Sequence, residues 1–201
     1  MIFSYNADIK KTAYMNWRTD KHDTDVNFAV IADGYFIAAQ TLTEKYIENN
    51  IGKDADIVIY PILFNTIHGT ELYLKAMYIR LAYLLKKDQK FAGGHNIKSL
   101  FGMVSSLVEE IKNDNNKFYE YKRIMNPLED FIDEVYSKTE HMDFSRYSVD
   151  NRNKENYFYI DTIENEVVNL PKLLEAIKKI SSSLQQVFHH FLYDYEQEYN
   201  Y

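Results

Sequence analysis

The chain has 201 residues, no cysteine and a formal charge of -7. Disulfides and thiolate metal sites are thereby excluded, and a reducing compartment is the natural setting. Broad non-specific attraction to nucleic acid is disfavoured, although a local basic groove is not.

With 18 Tyr and 12 Phe the chain can fill a sizeable core, and its length suits one domain spanning 1–201. Few glycines and prolines argue against an all-β sandwich and favour helices. The start, Met1 to Lys11, lacks a basic stretch followed by an apolar one, so no secretory signal is expected there. The most apolar stretch, Ile57 to Leu85, is interrupted by His68, Glu71, Lys75 and Arg80. It is not expected to span a bilayer, and the chain reads as soluble and cytoplasmic, without a membrane.

Residues 1–25 form a polar, mixed N-terminal arm. Asp20, His22, Asp23 and Asp25 crowd there; a solvated cap region, with Asp25 as helix N-cap, is favoured over a metal site. From Asn27 to about Glu48, Phe28, Ile31, Tyr35, Ala38, Leu42 and Tyr46 recur at helical spacing. Gly34 offers close packing against a neighbour, and Asn49 to Gly52 stops the helix. A second helix is expected from near Ile59 to about Lys86, with Pro61 in its first turn. It is apolar around much of its circumference, which marks a central helix. Lys86 to Lys90 reads as a solvated end, and Gly93-Gly94 as a turn.

Asn96 to about Lys112 carries Ile97, Leu100, Phe101, Val104, Leu107, Val108 and Ile111 and predicts a third, amphipathic helix. After a polar break at Asn113–Asn116, Phe118 to about Tyr136 predicts a fourth, kinked or divided at Pro127. Residues 137–160 read as an irregular loop or small hairpin around the polar turn Asp150–Asn156. Pro171 opens a last helix carrying Leu173, Leu174, Ile177, Ile180, Leu184, Val187, Phe188, Phe191 and Tyr195. The expected fold class is all-α, an up-and-down helical bundle of about five helices with one irregular insertion.

Chemistry-bearing residues gather in four places. On the second helix, offsets of three and seven put His68, Glu71 and Lys75 on one narrow face. They are either a proton-transfer histidine oriented by Glu71, with Lys75 holding anionic charge, or a buried network tying helices together; spacing alone favours the network. At Gly93-Gly94-His95-Asn96-Ile97 the histidine stands at a helix start, near Lys86, Lys87, Lys90 and Lys98. That is a phosphate-contacting corner or, equally, a capped turn with solvated lysines.

In the loop, Arg146-Tyr147 with Arg152 and Lys154 could grip a phosphate and stack on a base. The alternative is an arginine paired with a carboxylate such as Glu71, under a packed tyrosine. His189, His190 and Asp194 make a weak metal pattern; solvated or interface histidines fit better. No metal or cofactor is expected. Phosphate loops, dinucleotide glycine fingerprints, nucleophile elbows and His-Glu-x-x-His are absent from the sequence.

Three pieces resemble the HEPN-like superfamily of small helical proteins. Pro61, Phe64, His68, Glu71 and Lys75 are similar to a Pro…Phe…His-x-x-Glu-x-x-x-Lys helix of some members. Gly94-His95-Asn96-Ile97 with Leu100 is similar to their Gly-His-Asp-Leu-x-x-Leu corner, and Arg146-Tyr147 to an Arg-Tyr after the fourth helix. The resemblance implies a bundle that often forms homodimers. Members occur in toxin–antitoxin modules, phage-defence systems and RNA processing, and many are metal-independent endoribonucleases.

The usual ribonuclease signature, an Arg followed a few residues later by a His late in the bundle, is missing. Arg146 and Arg152 have no His at that distance, and Arg18 and His22 are too close together and lie outside the bundle.

The expectation that follows is a HEPN-like module of a bacterial defence or stress system. It would bind RNA, a nucleotide or a protein partner through His68, Glu71, Lys75, His95, Arg146, Tyr147 and Lys98. The next alternative is an endoribonuclease with a rearranged site. There His68 or His95 serves as base and acid, and Arg146 and Lys75 stabilise the phosphorane. A third is a purely structural oligomerisation protein.

Overall fold

The computed structural model describes residues 2–88, 94–112, 115–150 and 154–194. It is an all-helical bundle with five long helices and one short one. They are α1 (Thr24–Glu48), α2 (Ala55–Leu84), α3 (Ile97–Lys112), α4 (Asn115–Lys138), α5 (Phe158–Asp161) and α6 (Leu170–His189). No strand occurs among the described residues; the loop before α5 carries one isolated antiparallel bridge, Val149 to Asn156. The features expected within 89–93, 113–114, 151–153 and 195–201, Arg152 among them, lie outside the described residues.

α2 is the central element, packing against α1, α3 and α6. From Thr66 to Ala82 it is buried at nearly every position, including Thr70, Glu71 and Lys75. Its two buried threonines return their hydroxyls to the carbonyls one turn back, Thr66 to Ile62 and Thr70 to Thr66, both at 2.9 Å. Those bonds satisfy groups that would otherwise be costly to bury. Tyr73 crosses the core between Phe36 of α1 and Phe188 of α6. Its hydroxyl donates to Asp33 Oδ1 at 2.6 Å, and Gln185 Nε2 donates to the same oxygen at 2.8 Å. One carboxylate thus ties three helices. Burial first, and then the Asp33 bond and charge, push the Tyr73 phenol well above its usual range.

Several local expectations are corrected. Asp25 is not the N-cap of α1; Asp23 takes that place. Asp25 is buried and bonded by Arg80 Nε at 2.7 Å, a partner on α2 that a helix-start motif cannot reveal. Pro61 lies in the second turn of α2 rather than the first, because the helix begins at Ala55. It sits on an exposed position, where the missing N–H is cheapest. Pro127 does not divide α4, which runs through it as one helix.

The glycine of close approach is Gly69, not Gly34. A Cβ on Gly69 would stand 3.1 Å from the Phe36 ring and 3.3 Å from the Ala32 carbonyl, whereas one on Gly34 would meet nothing within 4 Å. α2 ends without a glycine: Lys86 takes φ 55°, and Lys87 N–H reaches the Ala82 carbonyl at 2.8 Å, a Schellman closure. Tyr157 to Ile160 does not form the second arm of a hairpin, since α5 starts at Phe158. The N-terminal arm leaves Ile2, Phe3, Tyr5, Met15 and Trp17 exposed. Among the described residues no helix is long and apolar enough to cross a membrane.

Candidate functional site

Glu71 is the centre of the polar cluster. Helical spacing puts His68 one turn before it and Lys75 one turn after it, and the start of α3 brings His95 over the same face. Lys75 Nζ donates to Glu71 Oε1 at 2.5 Å, and His95 Nδ1 lies 2.9 Å from that oxygen. His68 Nδ1 stands 3.6 Å from Oε2, an electrostatic contact longer than a hydrogen bond. Side-chain exposure grades outward: 5% for Glu71, 11% for Lys75, 28% for His68 and 72% for His95.

Burial of Glu71 acts to raise its pKa. The His68 and Lys75 contacts and the charges of Lys75 and His95 outweigh that and bring it from 4.5 to about 2. An ionised carboxylate only accepts hydrogen bonds. His95 must therefore donate from Nδ1–H, which turns its Nε2 away from Glu71. A histidine oriented by a carboxylate, with its other ring nitrogen facing outward, can exchange a proton or contact a phosphate oxygen.

The Arg146–Tyr147 loop reaches this cluster through an aromatic relay. Phe64, one turn before His68 on α2, stacks on the His68 ring with centroids 5.5 Å apart. The Arg146 guanidinium lies over the other end of the relay, 5.8 Å from the Phe64 centroid. Tyr35 of α1 closes the remaining side with an edge contact to His68 at 4.6 Å. Arg146 also lies over the Tyr147 ring at 5.4 Å. Its ionic partner is Asp143, three residues back, and not Glu71 as the plainer reading supposed. Tyr159 fixes the loop from α5, its hydroxyl sitting 2.9 Å from the carbonyl oxygens of both Phe144 and Tyr147.

His68, Glu71, Lys75 and His95 are therefore in direct contact, and Arg146 and Tyr147 join them across one phenyl ring. Lys98 does not join. It turns to α4, where Nζ is 3.2 Å from Asp133 and 5.6 Å from the Tyr136 ring centroid. Tyr136 in turn donates to Asn96, the residue that caps α3 through the Ser99 N–H.

Phe64 and Tyr35 complete the surroundings of His68 without belonging to any of the four chemistry-bearing groups of the sequence. Phe64 stands one turn before His68, so its position on the same helical face was the available signal; nothing local marks Tyr35. His190 on the last turn has Nε2 2.6 Å from Lys112 Nζ, and the Asp194 side chain lies outside the described structure. Among the described residues no group of His, Asp and Glu could hold a metal ion. No protein-family model, curated protein or solved structure matches the chain significantly.

Proposed function

We propose that the protein is a HEPN-like module of a bacterial defence or stress system that binds the phosphodiester backbone of RNA at this corner. One observation carries the reading: an exposed histidine, His95, is oriented by the buried carboxylate Glu71, whose neighbour His68 connects through the Phe64 ring to Arg146. His95 offers Nε2 to a phosphate oxygen. Arg146 offers the edge of a guanidinium already aligned by Asp143, and Tyr147, half exposed beneath it, offers a ring for a base.

The usual ribonuclease signature is absent, and both Lys75 and Arg146 already have carboxylate partners. Those features favour binding over turnover. The contact is local, in keeping with the acidic chain as a whole.

A metal-independent endoribonuclease is the second reading, and the His95–Glu71 pair favours it. Such a pair could take the ribose 2′-hydroxyl proton as the 2′-oxygen attacks phosphorus and the P–O5′ bond breaks, with a proton from the imidazolium or water passing to the 5′-oxygen, leaving a 2′,3′-cyclic phosphate and a 5′-hydroxyl. Both readings are tested with one set of proteins. Fluorescence anisotropy with a labelled single-stranded RNA is measured on wild type, His95→Ala and Arg146→Ala, and the same RNA is incubated in EDTA and resolved on a gel. Binding is expected to weaken about tenfold in each variant, with the RNA intact. Affinities within twofold of wild type for both variants would sink the binding site. Cleavage that disappears in His95→Ala would replace it with the nuclease.

A further inference from the structure

A cleft adjoins the Arg146–Tyr147 loop, sharing Phe144 and Tyr159 with its support, but none of His68, Glu71, Lys75, His95, Arg146 or Tyr147 lines it. It has a volume of about 460 Å³ and opens between α2, α4, α5 and the first turn of α6. That size suits a small organic molecule. Its walls are apolar and aromatic: Tyr60 and Leu63 from α2, Phe131 from α4, Phe144 and Phe158 from the loop and α5, and Leu173 from α6. Phe131, Phe144 and Leu173 are buried from below by the bundle core, so the floor is preformed. Val167 forms part of the rim while 84% exposed, apolar surface that an occupant would cover.

Four charged side chains stand around the mouth: Glu134, Lys138, Glu166 and Lys172. Two of them neutralise each other, Lys138 Nζ lying 3.1 Å from Glu166. The remaining two, Glu134 on α4 and Lys172 on α6, are exposed and have no ion partner among the described residues. The rim therefore offers one anion and one cation beside an aromatic floor. Its complement is a molecule with an apolar or aromatic body that carries one positive and one negative group.

We infer that this cleft is a binding site for a small amphipathic zwitterion, an aromatic amino acid being the simplest. The ammonium group faces Glu134, the carboxylate faces Lys172, and the ring lies on the Tyr60–Phe158 side. A lone fatty acid or arylamine would satisfy one rim charge and leave the other unmatched.

Isothermal titration calorimetry on the full chain tests this with L-phenylalanine, L-tryptophan, 3-phenylpropionate, phenethylamine and decanoate. The two amino acids are expected to bind, and each singly charged compound to bind about tenfold more weakly or not at all. Lys172→Gln and Glu134→Gln, both at exposed positions and so compatible with folding, are each expected to weaken L-phenylalanine about tenfold. Absence of binding by either amino acid at millimolar concentration would overturn the inference. So would equal binding of decanoate or of either singly charged aromatic, or an affinity unchanged in both variants.

Discussion

Replacing Glu71 by Gln removes one charge and almost no volume from the centre of the cluster. Its carboxylate is held from 4.5 down to about 2. A depression of that size corresponds to about 3 kcal/mol of stability at neutral pH. That is an upper figure, because His95 is largely in water and its contribution is screened. An independent argument gives the same order: Lys75, with 11% side-chain exposure, loses its ionised partner, and breaking a buried pair costs about 3–5 kcal/mol.

The sign of the pH dependence follows from a lowered folded-state pKa. The contribution is complete above about pH 4.5 and disappears as pH falls through about 2. Urea titrations followed by circular dichroism should place Glu71→Gln about 3 kcal/mol below wild type at pH 7. The gap should narrow progressively between pH 4.5 and 2. The paired change Glu71→Leu with Lys75→Met should recover most of the loss, since a well-packed apolar pair can replace a buried ion pair without penalty. A gap under about 1 kcal/mol at pH 7, or one that stays constant down to pH 2, would refute the account of Glu71 as a buried, multiply paired anion.

Gly34 and Gly69 should behave oppositely. Gly69→Ala should destabilise by about 1–3 kcal/mol, because the new methyl meets the Phe36 ring and the Ala32 carbonyl. Gly34→Ala, in open space on an exposed helix face, should stabilise by about 0.5–1 kcal/mol, and thermal melts of both will show the sign. Asp25→Ala should cost about 2–3 kcal/mol in chemical denaturation because it strips Arg80 of its ion partner. A loss near 1 kcal/mol would be that of an ordinary cap.

Periodicity made the long helices legible, since each apolar stripe is a local property that tertiary packing then uses. α2 could be read as central because its apolar residues go all round the helix, and the structure buries them all round. The alignment of His68, Glu71 and Lys75 was legible for the same reason, being fixed by helix geometry alone. What could not be read were partners distant in sequence. Asp25 looked like a cap because an aspartate at a helix start usually is one; Arg80, its partner, is 55 residues away. Gly34 and Gly69 look alike in sequence, and which one meets a neighbour depends on how α1 crosses α2. Lys98 belonged to a basic stretch by sequence, but helical rotation aims it at Asp133 on α4. Arg146 found its carboxylate three residues away, which made Glu71 an unnecessary partner.

Stability alone does not require the Glu71–Lys75 pair, because a well-packed apolar pair can take the place of a buried ion pair without penalty. The distinct effect of Glu71–Lys75 is on His95. That residue follows a glycine and precedes the α3 cap, at a position where an imidazole would otherwise be free to choose its tautomer. A free neutral imidazole in water favours hydrogen on Nε2. Glu71, kept ionised, accepts from Nδ1 and forces the other form. Lys75 keeps Glu71 in place on the side away from solvent. If this is what the pair is for, nitrogen NMR of the histidines above their titration range should report Nδ1–H for His95 in wild type. The Glu71→Leu, Lys75→Met double variant should report Nε2–H while remaining folded. The same tautomer in both proteins would show that Glu71 does not orient His95, and the contact would then be only a helix–loop tie.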